Sequence, residues 1–469
     1  MEYKFNMNII YVKKRRKPGY NFPSLTASGD QFEAYVSALA AYTADNSTVD
    51  VYNGYNNQNA TPTNLYVSGE TFNGSYQFAS AAVNPAGVVA YAPKAANKFM
   101  FRDTQDSDAM SVTDHGDYTL SSSTHWGSTT YRFGTVVWHN AAEVWCYLPD
   151  YYAYGTWYDG SNWGDLTFSN QTLRRYGGSF NFDGCVYGWT ITGGNGNRNL
   201  CRIDSDLNVS YTTMTGITLS NPLLNLALGP NGKALHFGLD EIREIDLTNF
   251  VNGSWSPTST QIVARGTNSW YEAAGGLAKP ILCPDGCFYV FPNYRLYDAN
   301  THNEDKTYAI KYDPSDESVT QIDYENTNVS LGASYVNSNT SYQISKIRAR
   351  SGNGNINTGL MPDGRIAICS YYACEIYRPS FSAWSEDYGP FAWNPTTGVF
   401  DQNSRLPWGS YISQWGLTQG ITMMPSGKMG QVPTRMSYNS GTNQTAWTSD
   451  FFSIPDVAPP IELVCSGYL

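Results

Sequence analysis

Two stretches of the chain bring aromatic rings and carboxylates close enough in sequence to hold a ligand. Asp150–Trp163 contains Tyr151, Tyr152, Tyr154, Trp157, Tyr158 and Trp163 beside Asp159 and Asn162. Phe381–Trp393 contains Trp384, Tyr388 and Trp393 beside Glu386 and Asp387. A ring face next to a carboxylate or amide suits stacking on a sugar, and amphipathic rings also anchor protein interfaces. The same rings can instead be consumed in packing between structural units.

Motifs for turnover are sparse. The chain has no Gly-x-Ser-x-Gly elbow, no His-Glu-x-x-His and no phosphate-binding loop. Gly194-Asn195-Gly196 and Gly352-Asn353-Gly354 lack a third glycine and read as turns. His115, His125, His139, His236 and His302 show no ligand-like spacing, and His236 lies in an apolar run that suits a core. Asp204-Ser205-Asp206-Leu207-Asn208 has the first oxygen ligands of a calcium loop without its glycine or closing glutamate. Asp159-Gly160-Ser161-Asn162-Trp163 approaches the sialidase aspartate box but lacks the upstream serine. Glycoside hydrolysis needs two carboxylates facing each other across a bond, which linear spacing does not supply here. No catalytic residue, metal or cofactor is assigned. A glycan-cleaving enzyme and a lectin-like module stand as alternatives to a structural role.

The elements that must position these residues come from a repeat. Glycine-centred segments recur at Asn84-Pro85-Ala86-Gly87, Tyr131-Arg132-Phe133-Gly134, Asn181-Phe182-Asp183-Gly184, Gly229-Pro230-Asn231-Gly232, Cys283-Pro284-Asp285-Gly286, Met361-Pro362-Asp363-Gly364 and Met424-Pro425-Ser426-Gly427. Proline presets the first corner of a tight turn, Asn or Asp tolerates the second, and glycine supplies positive φ. Apolar runs follow, as in Lys233–Leu239, Cys287–Pro292 and Arg365–Ser370, and second strand-like runs come next at Ile242–Leu247 and Thr307–Pro314. The first five glycines are spaced by about the 40–50 residues of a four-stranded propeller blade. The two longer intervals predict insertions, a loop over Ser330–Thr358 and the aromatic stretch Phe381–Trp393. The pattern predicts an all-β fold, a seven-bladed β-propeller of four-stranded antiparallel blades over 76–469. Residues 1–75 form an N-terminal extension with one helix expected over Gln31–Ala44. Ile461–Cys465, after the stiff Pro459-Pro460, is expected to be the strand that closes the ring.

Composition narrows the partners. The chain of 469 residues has a formal charge of −11, so a phosphate backbone is repelled and nucleic acid is an unfavourable partner. Charged residues make up only 15% while aromatics reach 15%, so the surface relies on Asn, Ser, Thr, Gly and Tyr as an antibody paratope does. No stretch is long and apolar enough for a membrane-spanning helix, and no signal-peptide pattern opens the sequence. The one basic run, Lys13-Lys14-Arg15-Arg16-Lys17, reads as a solvated arm or as an anchor for an acidic neighbouring subunit. Eight cysteines are too few for a disulfide scaffold. Cys283/Cys287 and Cys369/Cys374 are placed to oppose each other across hairpins, with buried free thiols as the expected state.

The Pro-Asn/Asp-Gly turn with its apolar run, followed by a Tyr or Ile strand and a turn such as Tyr312-Asp313-Pro314-Ser315, resembles the kelch-like repeats of bacteriophage virion and tail propellers. The resemblance covers about residues 76–440 and is clearest at Gly232, Gly286 and Gly364. Gly177-Gly178 and Gly275-Gly276 lack the spaced Tyr and Trp of true kelch repeats. What the resemblance implies is a virion component made in the host cytoplasm, in a tail, that contacts other virion proteins and a host-surface glycan or protein. It carries over no catalytic residue.

Overall fold

The computed structural model describes residues 31–46, 78–94, 96–104, 109–116, 132–149, 154–168, 173–192, 198–214, 225–238, 241–263, 280–291, 309–322, 346–350, 356–370, 373–378, 383–387, 391–396, 398–405, 418–424, 429–433, 459 and 461–466. One helix, α1 (Gln31–Asp45), precedes the strands. Blade one is β1 (Phe78–Val83), β2 (Val88–Pro93), β3 (Phe99–Asp103) and β4 (Ala109–Thr113); blade two is β5 (Phe133–His139), β6 (Val144–Pro149), β7 (Tyr154–Tyr158) and β8 (Trp163–Thr167). Blade three is β9 (Leu173–Phe182), β10 (Cys185–Thr192), β11 (Arg198–Ile203) and β12 (Val209–Thr213). Blade four is β13 (Asn225–Leu228), β14 (Lys233–Phe237), β15 (Ile242–Asp246) and β18 (Thr258–Val263), with the small hairpin β16 (Phe250–Val251) and β17 (Ser254–Trp255) inserted before β18. Blade five is β19 (Ile281–Leu282), β20 (Phe288–Val290), β21 (Ala309–Asp313) and β22 (Ser318–Ile322).

A further strand, β23 (Lys346–Arg350), leads into blade six: β24 (Ile356–Leu360), β25 (Ile366–Ser370), β28 (Phe391–Asn394) and β29 (Val399–Arg405). Between β25 and β28 run β26 (Ala373–Arg378) and β27 (Ala383–Asp387), which pair with β23 as a separate three-stranded sheet. Last come the hairpin β30 (Thr418–Met423) and β31 (Met429–Pro433) and a second helix, α2 (Ile461–Cys465). The first strands of the sheets line a common axis. β1 lies on β5, β5 on β9, β9 on β13, β19 on β24, β24 on β30, and β30 returns to β1. Blades four and five meet through Phe237, packed on Phe288 and Tyr312. The fold is a β-propeller of antiparallel four-stranded blades.

Several expectations need correction. Six complete blades stand among the described residues where seven were expected, and the segment 425–428 around the seventh anchor lies outside them. Gly134 is no turn: it lies inside β5, and blade two turns at Asn140–Glu143. There Glu143 itself takes φ 55°, its amide donating to His139 O at 2.8 Å, so this hairpin leaves no glycine signature. The surplus placed in a loop at Ser330–Thr358 contains β23, and the aromatic insertion supplies β27, so two separate surpluses build one extra sheet. Cys369 and Cys374 do not oppose each other, because β25 and β26 belong to different sheets, whereas Cys283 N donates to Cys287 O at 3.0 Å across its hairpin.

Ile461–Cys465 is a helix and closes no blade edge. Leu463, Val464 and Cys465 are each buried in a different core cluster: Leu463 in the one that holds Phe32, Val464 in the one that holds Tyr42 and Phe78, and Cys465 in the one that holds Ala79 and Phe133. Helical geometry sends three consecutive side chains in three directions, whereas a strand would put the first and third on one face. The proline pair just before it is compatible with a helix start.

Helix α1 follows the apolar rhythm of its sequence, burying Phe32, Tyr35, Leu39 and Tyr42. Burial of four such side chains stabilises the docked helix by about 1.5–3 kcal/mol each. Asn46 ends it, its side chain donating to Tyr42 O at 2.8 Å. Phe32 stacks on Phe288 at 5.8 Å, Val36 approaches Gly286, and Thr43 approaches Gly364. These glycines, with φ of 76° and 83°, corner the first hairpins of blades five and six, so α1 lies across the turn end of the ring. A side chain on either would also meet the helix.

Both helices meet blade three at Asn181. Its backbone O accepts from Gln31 Nε2 (3.3 Å) and its backbone N–H donates to Ser466 O (3.2 Å). Its side-chain Nδ2 donates to Trp138 O (2.8 Å), with Cys465 O and Ser466 O at 3.4 and 3.5 Å, and its Oδ1 accepts from Asn140 N (3.1 Å). We expect Asn181→Ala to destabilise the chain by about 2–4 kcal/mol, because the partners stay buried and unsatisfied. Asn181→Asp should cost more and in a pH-dependent way. Facing carbonyl oxygens, its folded-state pKa lies above the unfolded value of about 3.9, so the penalty grows as pH rises through that value and shrinks on acidification. Urea midpoints at pH 4 and pH 7 check both.

Candidate functional site

The aromatic stretch of blade two divides between two interfaces and the surface. On one face of the β7–β8 hairpin, Tyr158 and Trp163 are cross-strand partners stacked at 4.2 Å and 25°. Trp163 packs on Phe99 of blade one at 4.3 Å, and Tyr158 on Phe101 at 5.2 Å. His115, at the end of blade one, lies 5.1 Å from Trp163 and its Nε2 is 3.1 Å from Thr156 Oγ1. On the opposite face Trp157 lies over Gly164, its cross-strand partner, and packs toward blade three beside Cys146 and Cys201. Among the described residues of this series only Tyr154 is substantially exposed, at 38%.

Trp393 is corrected outright: it is fully buried in blade six, against Tyr289 and Phe291, and makes no surface contact. Its position on β28, facing the core of the neighbouring blade, is the physical reason. Trp384 lies on β27 opposite Tyr377 in register. Tyr151, Tyr152 and Tyr388 lie outside the described residues, as do Lys13, Lys14, Arg15, Arg16 and Lys17.

The carboxylates form a second series that the turn glycines concealed. The third strand of every complete blade ends at or next to an Asp or Asn: Asp103, Asp159, Asp204, Asp246, Asp313 and Asn394. In five of them the side-chain Oδ1 accepts an amide two residues on, from Ser161, Asp206, Thr248, Ser315 and Thr396, at 2.7–3.0 Å. This self-capping fixes the turn that follows the third strand in those five blades. Burial pushes the Asp159 carboxyl up, but hydrogen bonds from Asn162 and Ser161 outweigh it and hold the group below its ordinary range. Hydrogen bonds from Ser315 do the same for Asp313.

The inner hairpins use their acids similarly. Asp285 Oδ1 accepts from Cys287 N, while Oδ2 accepts from Tyr289 OH and pairs with Lys311 Nζ, both at 2.9 Å. Asp363 accepts from Arg365 N at 3.2 Å and pairs with its guanidinium. The incomplete calcium loop at Asp204–Asn208 is thus a capped turn, cornered by Leu207 at φ 65°. Among the described residues no three His, Cys, Asp or Glu side chains stand where they could hold a metal.

His139 and His236 are both fully buried. His139 Nδ1 accepts from Ala142 N at 3.2 Å, which leaves Nε2–H to donate to Asp204 O at 2.9 Å in blade three. Burial pushes its pKa below the ordinary value, against the opposing effect of those carbonyls. His236 sits edge-on to Trp189 at 5.3 Å, in the core as its apolar run implied.

Two features escaped the sequence reading. In the sequence Asn181 is one residue of the turn Asn181-Phe182-Asp183-Gly184, with nothing to mark its partners. The β16–β17 hairpin was missed although Asn252-Gly253, a strong signal for a two-residue hairpin turn, marks its tip. Phe250 and Val251 there are 52% and 51% exposed.

No family model matches the chain, and no curated protein matches it. Solved structures with a similar fold include virginiamycin B lyase from Staphylococcus aureus, at 10% identity and TM-score 0.44, covering 82% of this chain and 99% of that one. A chain of the mitotic checkpoint complex gives 11% and 0.46, with 84% and 96% covered. The extracellular domain of a hybrid two-component system of B. thetaiotaomicron gives 10% and 0.43, with 84% and 40% covered. At such scores none of them bears on what this chain does.

Two outcomes follow. Gly164→Ala puts a Cβ within 2.3–2.5 Å of the Trp157 indole, so the ring must leave its seat. We expect a red shift of tryptophan emission and a loss of about 1–3 kcal/mol in stability. For His139, a folded pKa below the unfolded value of about 6.5 means stability is full above that pH and falls as pH drops through it. His139→Gln keeps a donor and an acceptor and should flatten the denaturation midpoint between pH 7.5 and 5.5.

Proposed function

We propose that this chain is a non-catalytic β-propeller of a bacteriophage virion, a tail protein whose disc works by contact. In this reading β30–β31 begins a seventh blade that completes the ring. The observation that carries the non-catalytic part is the use of the acids. Asp159, Asp204, Asp246, Asp313, Asp285 and Asp363 each spend an oxygen on their own turn backbone. Carboxylates committed as turn acceptors serve rigidity and are poorly disposed to proton transfer. The seating of Trp157, Tyr158 and Trp163 between blades favours a stiff disc over a sugar-stacking platform. The virion assignment rests on the kelch-like repeat alone. The basic arm, which precedes a helix fixed at Asn181, is suited to joining the disc to an acidic neighbouring subunit.

Mass spectrometry of purified phage particles is the test. The chain should be present at a fixed ratio to the other tail proteins, and purified protein should release no reducing ends from host surface polysaccharide. Absence from particles would end the virion reading, and released reducing ends would end the non-catalytic one.

A further inference from the structure

The geometry points to the β16–β17 hairpin as a docking tip for the segment Ile9–Lys17 of a second copy of this chain. The inference rests on the assembly role just proposed for the arm and names its receptor. Other blades join their third and fourth strands by short turns, as from Asp313 to Ser318, whereas blade four extends from Asp246 to Thr258 and builds a hairpin on the way. The extra hairpin is firmly held. Trp255 Nε1 donates to Leu247 O at 2.9 Å and its ring packs on Tyr187 of blade three at 5.8 Å. At the base, Asn249 Nδ2 donates to Ser256 O at 2.7 Å and Ser256 N donates to Asn249 O at 3.0 Å. Asn252 and Gly253, at φ 51° and 77°, make the two-residue turn that matches the twist of the strands.

A braced element that leaves two adjacent apolar side chains half exposed gains nothing for its own core from them. Phe250 and Val251 are such a pair, with open space around Gly253. The surround is charged. Arg202 lies over the Phe250 ring at 5.8 Å and within 4.0 Å of Asp204, and Asp206 is exposed on the same turn. The partner that fits carries an apolar run followed by cations. Ile9-Ile10-Tyr11-Val12-Lys13-Lys14-Arg15-Arg16-Lys17 has that order, and it is the one basic run of the sequence. Copies with a charge of −11 repel one another, and a cationic segment crossing from one to the next offsets that repulsion.

Sedimentation equilibrium of the full chain, over about 1–100 μM and at low and high salt, tests this. We expect self-association that weakens at least about tenfold with Phe250→Ser/Val251→Ser, and likewise with Arg15→Glu/Arg16→Glu. Adding Asp206→Lys to the arm reversal should restore association to within about threefold of the natural chain. If the paired serine variant misfolds, Val251→Lys alone should weaken association at least about threefold by opposing the arm's charge. A chain that stays monomeric throughout, association indifferent to the tip, or charge changes that add without rescue would overturn the inference. Particles that contain the chain while it stays monomeric in solution would sink this inference and leave the virion reading standing.

Discussion

The structure depends on the seam at Asn181, where the start of α1, the end of α2 and the first hairpins of two blades share one buried side chain and its backbone. A propeller must prevent its ring from opening, and a common solution is to complete one blade with strands from both ends of the chain. Here helices from the two ends lie together under the turn ends of the sheets. Leu463 and Phe32 belong to one continuous core with blades three to six, while Val464 and Tyr42 belong to that of blade one and β30. An isolated helix as short as α2 is unstable in water and persists only through the surface it buries.

The interfaces between blades are where the chain's unusual composition is used. Phe99 contacts Phe133, Tyr147 and Trp163, so one ring of blade one touches three rings of blade two. Phe101 of blade one meets Trp145 of blade two edge-on at 5.5 Å, and Trp145 is itself held edge-on at 4.9 Å by Trp138, its cross-strand partner within blade two. Edge and offset contacts of this kind give each interface a definite rotation angle as well as apolar burial. Glycine makes room where a ring needs the space. A Cβ on Gly232 would stand 2.4 Å from Phe182 of the preceding blade. Among the described residues rigidity therefore rests on aromatic fit and buried backbone bonds more than on ion pairs, which matches a chain of low charge content.

Legibility in the sequence followed locality. The inner hairpins at Gly87, Gly184, Gly232, Gly286 and Gly364 were visible because positive φ needs glycine, and all five have it. Blade two was placed wrongly because Glu143 does the same work without a glycine. The outer turns were harder to see as a series, since Asp or Asn capping an amide two residues on is chemically common and only its position in the blade makes it periodic. Ile461–Cys465 misled because a short apolar run reads equally as strand or helix, and only the three surrounding clusters decide it. For the candidate contact residues, type was readable but direction was not. Trp157 and Tyr158 are neighbours in sequence and face opposite blades.

What the disc offers a partner follows from where its polar and apolar groups are already spent. One end of the ring is occupied by α1, α2 and their hydrogen bonds, and the walls between blades are filled by rings. The outer turns, by contrast, keep much of their polar surface while holding a fixed backbone: Asp206, Ser161 and Asn162 are exposed on turns whose amides are already bonded. Groups on such turns lose little conformational freedom on binding, so they favour association through lower ordering cost more than through area. The hairpin of blade four adds to that rim the one ingredient it otherwise lacks among the described residues, an adjacent pair of half-exposed apolar side chains held on a braced turn. In the proposed assembly, a rim that is rigid and, among the described residues, apolar at one point would take one partner at that point, the head-to-tail contact from which open chains of discs are built.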